Sequence, residues 1–316
     1  MARKNVINLL NELDSLIDDY GEVYLEKAFY TPSYLVPLTT YLYFEKVPYN
    51  KFDLDPYNLS YLKTIGFYRQ LWGKVDGYQR LKNGHTYASI ACLDSPEHVN
   101  QVNTEISSCL TKLVGEQRSE GFLKLIDVIG EVHDNVWAHG CSTGFSMAQT
   151  YEDPITHKKF IEFTLADQGR GFLREVKSVG LSISSHKDAI EWCIQKGNST
   201  KLVTADDWRQ RVPGDFVGNN PMGRFGGQIR ESHHQGYGLF HLIDLVENFN
   251  GELYLISGNA ALHIKNKKRA YLRLKNEWQG VIISCRFDRD ELLSSDIGKP
   301  VDDEKLSNII RRLRGD

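Results

Sequence analysis

The sequence predicts an α+β fold for this chain of 316 residues. Helical periodicity over residues 118–140 is followed by two strand-like runs that Asp153 and Pro154 separate, which predicts an antiparallel hairpin. Three further short strands, predicted between residues 251 and 288, follow another helix. The length is sufficient for one large domain or for two domains of ordinary size.

The composition narrows the class of protein. Hydrophobic residues make up 41% of the chain and charged residues 25%, as in ordinary soluble globular proteins. The formal net charge of −3 gives no clear signal for nucleic acid or a membrane surface, and we interpret the basic run at 265–275 as a solvated face. No apolar run is long enough to span a membrane, the charged N-terminal run is unlike a signal peptide, and the scattered cysteines fit a reducing compartment. We therefore expect a cytoplasmic protein.

Residues 1–117 predict an N-terminal α/β unit with a connecting helix. The predicted elements are a helix at 5–19, strands and turns at 24–46, an amphipathic helix at 58–75 capped by Ser60, a strand at 85–93, and a helix at 95–117 capped by Ser95 with Pro96 in its first position. No chemical motif is evident in this unit.

Residues 118–288 predict a second domain, and residues 289–316 a polar tail that is partly helical. The predicted elements of the domain are a helix at 118–140 that ends at Gly140, strands at 142–152 and 158–169, a helix at 185–197 capped by Ser185, a helix from 236, and strands at 251–259, 269–276 and 280–288. The glycine-rich stretch at 198–235 predicts a loop, and a loop of this length inside a compact domain usually has a function.

The helix at 118–140 carries a polar stripe. At about 100° per residue, Asn135 and His139 lie about 40° and 80° from Glu131, so the three side chains share one side of the helix. Beside the stripe lies an apolar face, composed of Leu125, Ile129, Val132 and Val136. A surface helix with polar residues next to its core face would show the same pattern.

The two histidines of this helix suggest a metal site as an alternative. His133 and His139 lie about 120° apart around the helix, whereas zinc-binding histidines on one helix usually have i, i+4 spacing. The geometry therefore disfavours zinc.

Two glycine motifs follow along the chain. Asp167 ends an apolar strand and precedes Gly169 and Gly171; a carboxylate fixed there can accept a hydrogen bond from the exocyclic amine of adenine, and the glycines permit close backbone approach. Gly236 and Gly238 open a helix, whose N-terminal N–H groups and dipole suit a phosphate. Each motif alone is equally compatible with a simple turn.

The chain contains, in this order, a helix with ExxxN, a strand with DxGxG, a glycine-rich loop and a helix opened by GxGL. This series of motifs resembles the GHKL ATP-binding superfamily. That group includes histidine-kinase catalytic domains, type II topoisomerase and mismatch-repair ATPases, heat-shock chaperone ATPases and anti-sigma-factor kinases. The resemblance covers residues 118–288 and implies a two-layer α/β sandwich of the Bergerat type that binds ATP and Mg²⁺. "EVHDNVWAHG" is most similar to the stand-alone anti-sigma branch, and residues 190–201 resemble the segment leading into the ATP lid.

The resemblance implies a role for each motif residue. Asn135 would ligate Mg²⁺, an ion that the triphosphate would hold for the most part. Glu131 would orient or deprotonate the attacking water or hydroxyl. His139 would approach the phosphates. Asp167 would bind the adenine amino group. The backbone of Gly169 and Gly171 would lie near the base. The backbone of Gly236, Gly238 and Leu239 would hold the phosphates. The lid would contain Ser199, Thr200 and Lys201. Lys201 and Arg224 remain alternatives for contact with the γ-phosphate.

The sequence also departs from the family pattern. A Gly-Thr pair is common near the penultimate strand, whereas Gly280 and Val281 stand at the corresponding place, so a threonine contact is absent. No helix with a phosphoacceptor histidine is evident, which disfavours a self-phosphorylating histidine kinase. Residues 20–94 faintly resemble STAS-like domains; alternatively, they form an N-terminal elaboration that packs on the ATP domain or makes a homodimer.

Several functions are compatible with the same predicted pocket. The first is hydrolysis of ATP as a conformational switch in a regulatory or defence complex, in which closure of the lid is read by a partner protein or a second protomer. The alternatives are a serine/threonine kinase of the anti-sigma-factor type and a histidine-kinase-like ATP-binding module that acts on a partner. A sensor that binds ATP without turnover is disfavoured by the presence of both Glu131 and Asn135.

Overall fold

The structure is a computed structural model that describes residues 2–75, 82–115, 119–136, 142–153, 156–198, 200 and 237–294. The helices of these residues are α1 (Val6–Leu16), α2 (Pro32–Phe44), α3 (Pro56–Thr64), α4 (Phe67–Trp72), α5 (Pro96–Val114), α6 (Glu120–Asn135), α7 (Gly171–Ser178), α8 (His186–Cys193), α9 (Gly238–Asn248) and α10 (Arg289–Ser294), with a 3₁₀ turn at Tyr49–Lys51. The strands are β1 (Arg3–Lys4), β2 (Val23–Leu25), β3 (Phe29–Tyr30), β4 (Phe52–Leu54), β5 (Tyr87–Leu93), β6 (Gly144–Glu152), β7 (Lys159–Asp167), β8 (Glu252–Lys265) and β9 (Lys268–Asp288).

A five-stranded antiparallel sheet lies at the centre of the molecule, with the strand order β5-β6-β7-β9-β8. Two parallel strand pairs, β1 with β3 and β2 with β4, lie outside it. The mixture of helices with an antiparallel sheet agrees with the predicted α+β class. β5 and α5 belong to residues 1–117, the predicted N-terminal unit. In the structure, however, β5 pairs with β6 of the central sheet, and α5 packs in the same core as α6.

Helices cover both faces of the sheet, so there are two hydrophobic cores. One core lies between the sheet and the layer of α5, α6, α8 and α9; the other lies between the sheet and the N-terminal layer, to which α1 and α2 belong. Strand alternation divides β7 between them: Phe163 and Leu165 belong to the first core and Ala166 to the second. The N-terminal segment therefore packs on the sheet, which was one of the two arrangements considered for it.

Many of the sequence predictions are confirmed. The predicted helices at 5–19 and 95–117 appear as α1 and α5, the strand at 85–93 as β5, and the hairpin as β6 and β7. Ser95 caps α5 by accepting a hydrogen bond from the His98 N–H at 3.2 Å, and Ser185 caps α8 through the Asp188 N–H at 3.0 Å. The predicted end of the long helix at Gly140 lies outside the described residues.

The prediction of strands and turns over 24–46 is wrong for most of that range, because residues 32–44 form α2. Pro32 occupies the first turn of α2, where a missing N–H costs little. Ten of the thirteen residues of α2 are buried, since it lies against β6 and β7. α2 is therefore rich in aromatic and β-branched residues because it is buried on nearly all sides. This burial outweighs the preference of such residues for strands.

Two further boundaries differ from prediction. The helix predicted over 58–75 is two helices, α3 and α4, because Gly66 adopts a left-handed φ of 85° between them; Asp55 caps α3, where Ser60 was predicted. The strands predicted at 269–276 and 280–288 are one strand, β9, whose pairing with β8 continues through a bulge around Gly258. Among the described residues, no helix has the length and apolar character needed to cross a membrane.

Candidate functional site

The polar stripe of α6 is present in its described part. Val132 and Val136 are buried in the core, whereas Glu131 and Asn135 are half-buried at its edge, as the helical periodicity predicts. Asn135 is the last residue of α6. His139 lies outside the described residues.

Glu131 lies against the first turn of α9. A Cβ atom on Gly238 would be 2.8 Å from Glu131 Oε2 and 3.1 Å from Glu131 Cβ, so the close approach of the two helices requires glycine at this position. Glu131 Oε2 is buried, and His241 Nδ1, one turn into α9, is 3.9 Å from it. A carboxylate at this end of a helix interacts favourably with the helix dipole.

The first turn of α9 presents backbone N–H groups that the helix itself does not use. Tyr237 precedes the helix and forms no side-chain cap. The first N–H groups of a helix have no partner within the helix, so they are available to an anion or to water. Gly238 and Leu239 belong to this first turn, and Leu239 also packs against the core under α6.

Asp167 is a buried carboxylate at the end of β7, with 4% of its surface exposed. Its Oδ1 accepts a hydrogen bond from the Gly169 N–H at 2.7 Å. Burial raises the pKa of Asp167 to about 7, and hydrogen bonds from the backbone N–H groups of Gly169 and Val281 oppose that shift only in part. The side chain is therefore held near its point of ionisation at neutral pH.

β9 packs directly on Asp167. Gly280 adopts a φ of 96°, and a Cβ atom there would be 2.3 Å from the Asp167 carbonyl oxygen and 2.7 Å from Oδ1. The same carbonyl oxygen accepts a hydrogen bond from Trp278 Nε1 at 2.9 Å. Only glycine combines this backbone conformation with this contact, so the space around the carboxylate is defined largely by main-chain atoms.

Ser257 joins β8 to the start of α7 beside the same carboxylate. Its Oγ donates to the Gly280 carbonyl at 2.9 Å and accepts from the Phe172 N–H at 3.0 Å. A Cβ atom on Gly171 would be 2.8 Å from this hydroxyl. The two glycines of the DxGxG motif are thus fixed in place, Gly169 by Asp167 and Gly171 by Ser257.

Gly144 brings the α6 and Asp167 motifs together. It pairs with Asp167 in the β6–β7 ladder, and a Cβ atom on it would be 3.3 Å from Asp167 Cβ and 3.0 Å from Val136 Cγ1. The C-terminal turn of α6, which includes Asn135 and Val136, therefore lies next to the end of β7. The described parts of all three sequence motifs therefore meet around α6.

His133 is a core residue rather than a metal ligand. It is fully buried, and its Nδ1 and Nε2 atoms lie 2.5 Å from Asn103 Oδ1 and 2.7 Å from Ser146 Oγ. Burial lowers its pKa to about 3, so the ring is neutral at pH 7. Both nitrogens are engaged in joining α6 to α5 and β6.

The predicted lid residues are only partly described. Thr200 is buried, and its hydroxyl donates to Glu175 Oε1 of α7 at 2.8 Å. Ser199, Lys201, Arg224 and Gly236 lie outside the described residues. Their predicted contacts with phosphate stay predictions.

Four residues of the site were not predicted: His241, Ser257, Gly144 and Trp278. His241 could have been found, because it lies one turn after Gly238 on the same helix. Gly144 also follows from the predicted hairpin, because it pairs with Asp167 at the open end of β6 and β7. Ser257 and Trp278 are brought to Asp167 by the pairing of strands distant in sequence, for which the chain contains no local signal.

Taken together, the site combines a buried carboxylate that can accept a hydrogen bond, a helix N-terminus that can receive an anion, and a second carboxylate, Glu131, next to that N-terminus. Among the described residues, no group of three His, Cys, Asp or Glu side chains is arranged to hold a metal ion. Comparison of the chain with protein-family models, curated proteins and solved structures found no match.

Proposed function

We propose that this chain binds Mg·ATP in the manner of the GHKL superfamily and hydrolyses it as a conformational switch. The observation that carries the proposal is the contact of Glu131 with Gly238, because it puts a buried carboxylate oxygen at a helix N-terminus suited to phosphate. A carboxylate within reach of a bound γ-phosphate is the group that positions and deprotonates an attacking water.

In this proposal, adenine occupies the space next to Asp167. The exocyclic amine of adenine donates to the Asp167 carboxylate, whose other hydrogen bonds come from backbone N–H groups. Gly280 and Gly171 support it, because they allow main-chain atoms to pack closely beside Asp167, where any side chain would collide with neighbouring atoms. The Bergerat type of α+β fold is part of the same proposal.

The triphosphate extends from adenine along α6 to the N-terminus of α9. Asn135 lies between these two ends and supplies a side-chain oxygen to Mg²⁺, an ion that typically takes few protein ligands besides substrate phosphates. Turnover would be coupled to a conformational change that a partner protein or second protomer reads.

The experiment that tests the proposed reaction is incubation of the full chain with γ-labelled ATP and Mg²⁺, with and without a cell lysate. We expect release of free labelled phosphate in both samples. Label that appears on a lysate protein, without free phosphate, would favour the serine/threonine kinase or the histidine-kinase-like module. Absence of both products, with ATP binding retained, would overturn the proposed reaction.

We expect Asn135→Ala to abolish Mg²⁺-dependent binding of ATP, because the variant loses the side-chain oxygen proposed for the metal. Isothermal titration calorimetry with MgATP, and with ATP in the presence of a chelator, measures the effect. The matched control is Asp134→Ala, which changes the exposed neighbouring residue of α6. If Asn135→Ala binds MgATP as tightly as the parent protein does, the assignment of the metal ligand is wrong.

A further inference from the structure

A polar cavity of about 220 Å³ lies between the N-terminal layer and strands β7, β8 and β9. Its charged lining comes from both sides: Arg3 of β1 from the N-terminal layer, and Glu162, Glu252, Lys265 and Arg286 from the sheet. At about 30 Å³ per water molecule, the cavity has room for roughly seven waters, or for one small molecule.

The cavity is separate from the site around Asp167. Glu162 and Ala166 of β7 point to the N-terminal layer, whereas Asp167 is one residue further and faces α6. Glu162 and Asp167 are also about 17 Å apart along the strand, at about 3.4 Å per residue. The two sites therefore lie on opposite faces and at different positions along the same strand.

Two guanidinium groups line this cavity, those of Arg3 and Arg286. The Nη2 atom of Arg3 donates to the hydroxyl of Tyr151, and the Nη2 atom of Arg286 donates to Glu252 Oε2. Each guanidinium lies over an aromatic ring, Arg3 at 5.3 Å from the centroid of Tyr151 and Arg286 at 4.6 Å from that of Phe160. Stacking fixes the orientation of both guanidinium groups.

The carboxylates of the cavity are already engaged. Glu162 is 2% exposed; its Oε1 accepts from the Ser33 N–H at 2.9 Å, and its Oε2 accepts from the Tyr151 hydroxyl at 2.6 Å. Glu252 Oε2 accepts from Arg286 Nη2 at 2.5 Å, and its Oε1 lies 3.2 Å from Lys265 Nζ.

Glu252 also remains ionised, although most of its side chain is buried. Burial disfavours its ionised form, but the hydrogen bond from His263 and the charges of Arg286 and Lys265 outweigh burial and lower its pKa to about 2. Its two oxygens already have three donors, so it contributes little further capacity for a cationic ligand.

The two arginines, by contrast, still have N–H groups that can donate to a ligand. The hydrogen bonds of Arg3 to Tyr151 and of Arg286 to Glu252 run through Nη2, and a guanidinium has five N–H groups. Three cationic side chains, Arg3, Lys265 and Arg286, line the cavity with two carboxylates. The excess of positive charge and of oriented N–H groups matches the bidentate recognition of a carboxylate or phosphate.

We propose that this cavity binds a small metabolite through an oxyanion group, a carboxylate or a phosphate, held between Arg3 and Arg286. Such a ligand would link the N-terminal β1 to β9 of the central sheet. The site does not depend on the proposed binding of ATP.

The test is titration of the full chain with inorganic phosphate and, separately, with succinate, followed by calorimetry and thermal unfolding, with sodium chloride at matched ionic strength as the reference. We expect saturable binding of at least one anion and a rise in the unfolding temperature beyond that in sodium chloride. Arg3→Gln should weaken the binding by about tenfold or more, the typical loss for a charge-assisted hydrogen bond. Arg273→Gln, which changes an exposed arginine of β9, is the matched control and should bind as the parent does.

Arg286→Gln should have the same effect as Arg3→Gln, but it also leaves Glu252 without one of its partners. If that variant fails to fold, Lys265→Gln replaces it, because the Lys265 side chain is 53% exposed at the rim. Binding of phosphate alone or of succinate alone identifies the group that the cavity selects. Binding that persists unchanged in Arg3→Gln, or no binding of either anion beyond the effect of sodium chloride, would overturn the proposal.

Discussion

Replacing Glu131 with glutamine is expected to slow the hydrolysis of ATP by about 10²- to 10⁴-fold, the range typical for loss of a general base. Glutamine has nearly the same shape, so the close contact of residue 131 with Gly238 is preserved. The affinity for MgATP should stay within a few-fold of that of the parent protein, because the proposed adenine and metal contacts are unchanged. Phosphate release under saturating ATP measures the rate, and calorimetry measures the affinity.

The control for this variant is Asp127→Asn on the same helix. Asp127 lies one turn before Glu131 and is exposed, so its replacement removes the same charge from α6 without changing the contact with α9. We expect it to hydrolyse ATP at the parent rate. If Glu131→Gln hydrolyses ATP as fast as Asp127→Asn does, Glu131 is not the base, and His241, 3.9 Å from it, becomes the next group to replace.

The helical part of the site could be predicted because its signals are local. The positions of Glu131 and Asn135 beside a buried face follow from 3.6-residue periodicity, and α6 has that arrangement. The strand that ends at Asp167 and the helix that opens at Gly238 are likewise defined by a few consecutive residues.

What could not be predicted depends on contacts between distant segments. Nothing near Ser257 in the sequence indicates that it will lie between Gly280 and Phe172, because the register of β8 with β9 decides it. The error over α2 has a related cause: burial between the sheet and the N-terminal elements selects apolar residues on every side and thereby removes the helical periodicity. The cavity at Arg3 and Arg286 combines side chains nearly 300 positions apart, so it is visible only in the folded chain.

The charge state of Asp167 should control both stability and nucleotide binding. Its pKa of about 7 lies above the ordinary value of 3.8, so the folded protein binds one more proton than the unfolded chain between about pH 4 and pH 7. In the nucleotide-free protein, the contribution of Asp167 to the free energy of unfolding is therefore most favourable below pH 4, decreases as the pH rises to 7, and is constant above. Asp167→Asn, which does not titrate, should remove this slope from thermal unfolding measured between pH 5 and pH 8.

Binding of adenine should have the opposite dependence on pH. The ionised carboxylate is the stronger acceptor for the exocyclic amine, so binding selects the deprotonated form, and affinity should fall about tenfold for each pH unit below 7. Between pH 8 and pH 5 we therefore expect the dissociation constant of MgATP to rise about 100-fold more in the parent protein than in Asp167→Asn. The effects of phosphate titration are common to both proteins and cancel in this comparison.

At pH 8 the Asp167→Asn variant should lose affinity for ATP by about 10- to 100-fold, the usual effect of removing a hydrogen bond to a charged group. It should lose less affinity for GTP, which lacks the exocyclic amine that Asp167 is proposed to bind. Parallel pH profiles of the two proteins, or equal losses for ATP and GTP, would show that Asp167 does not contact the base.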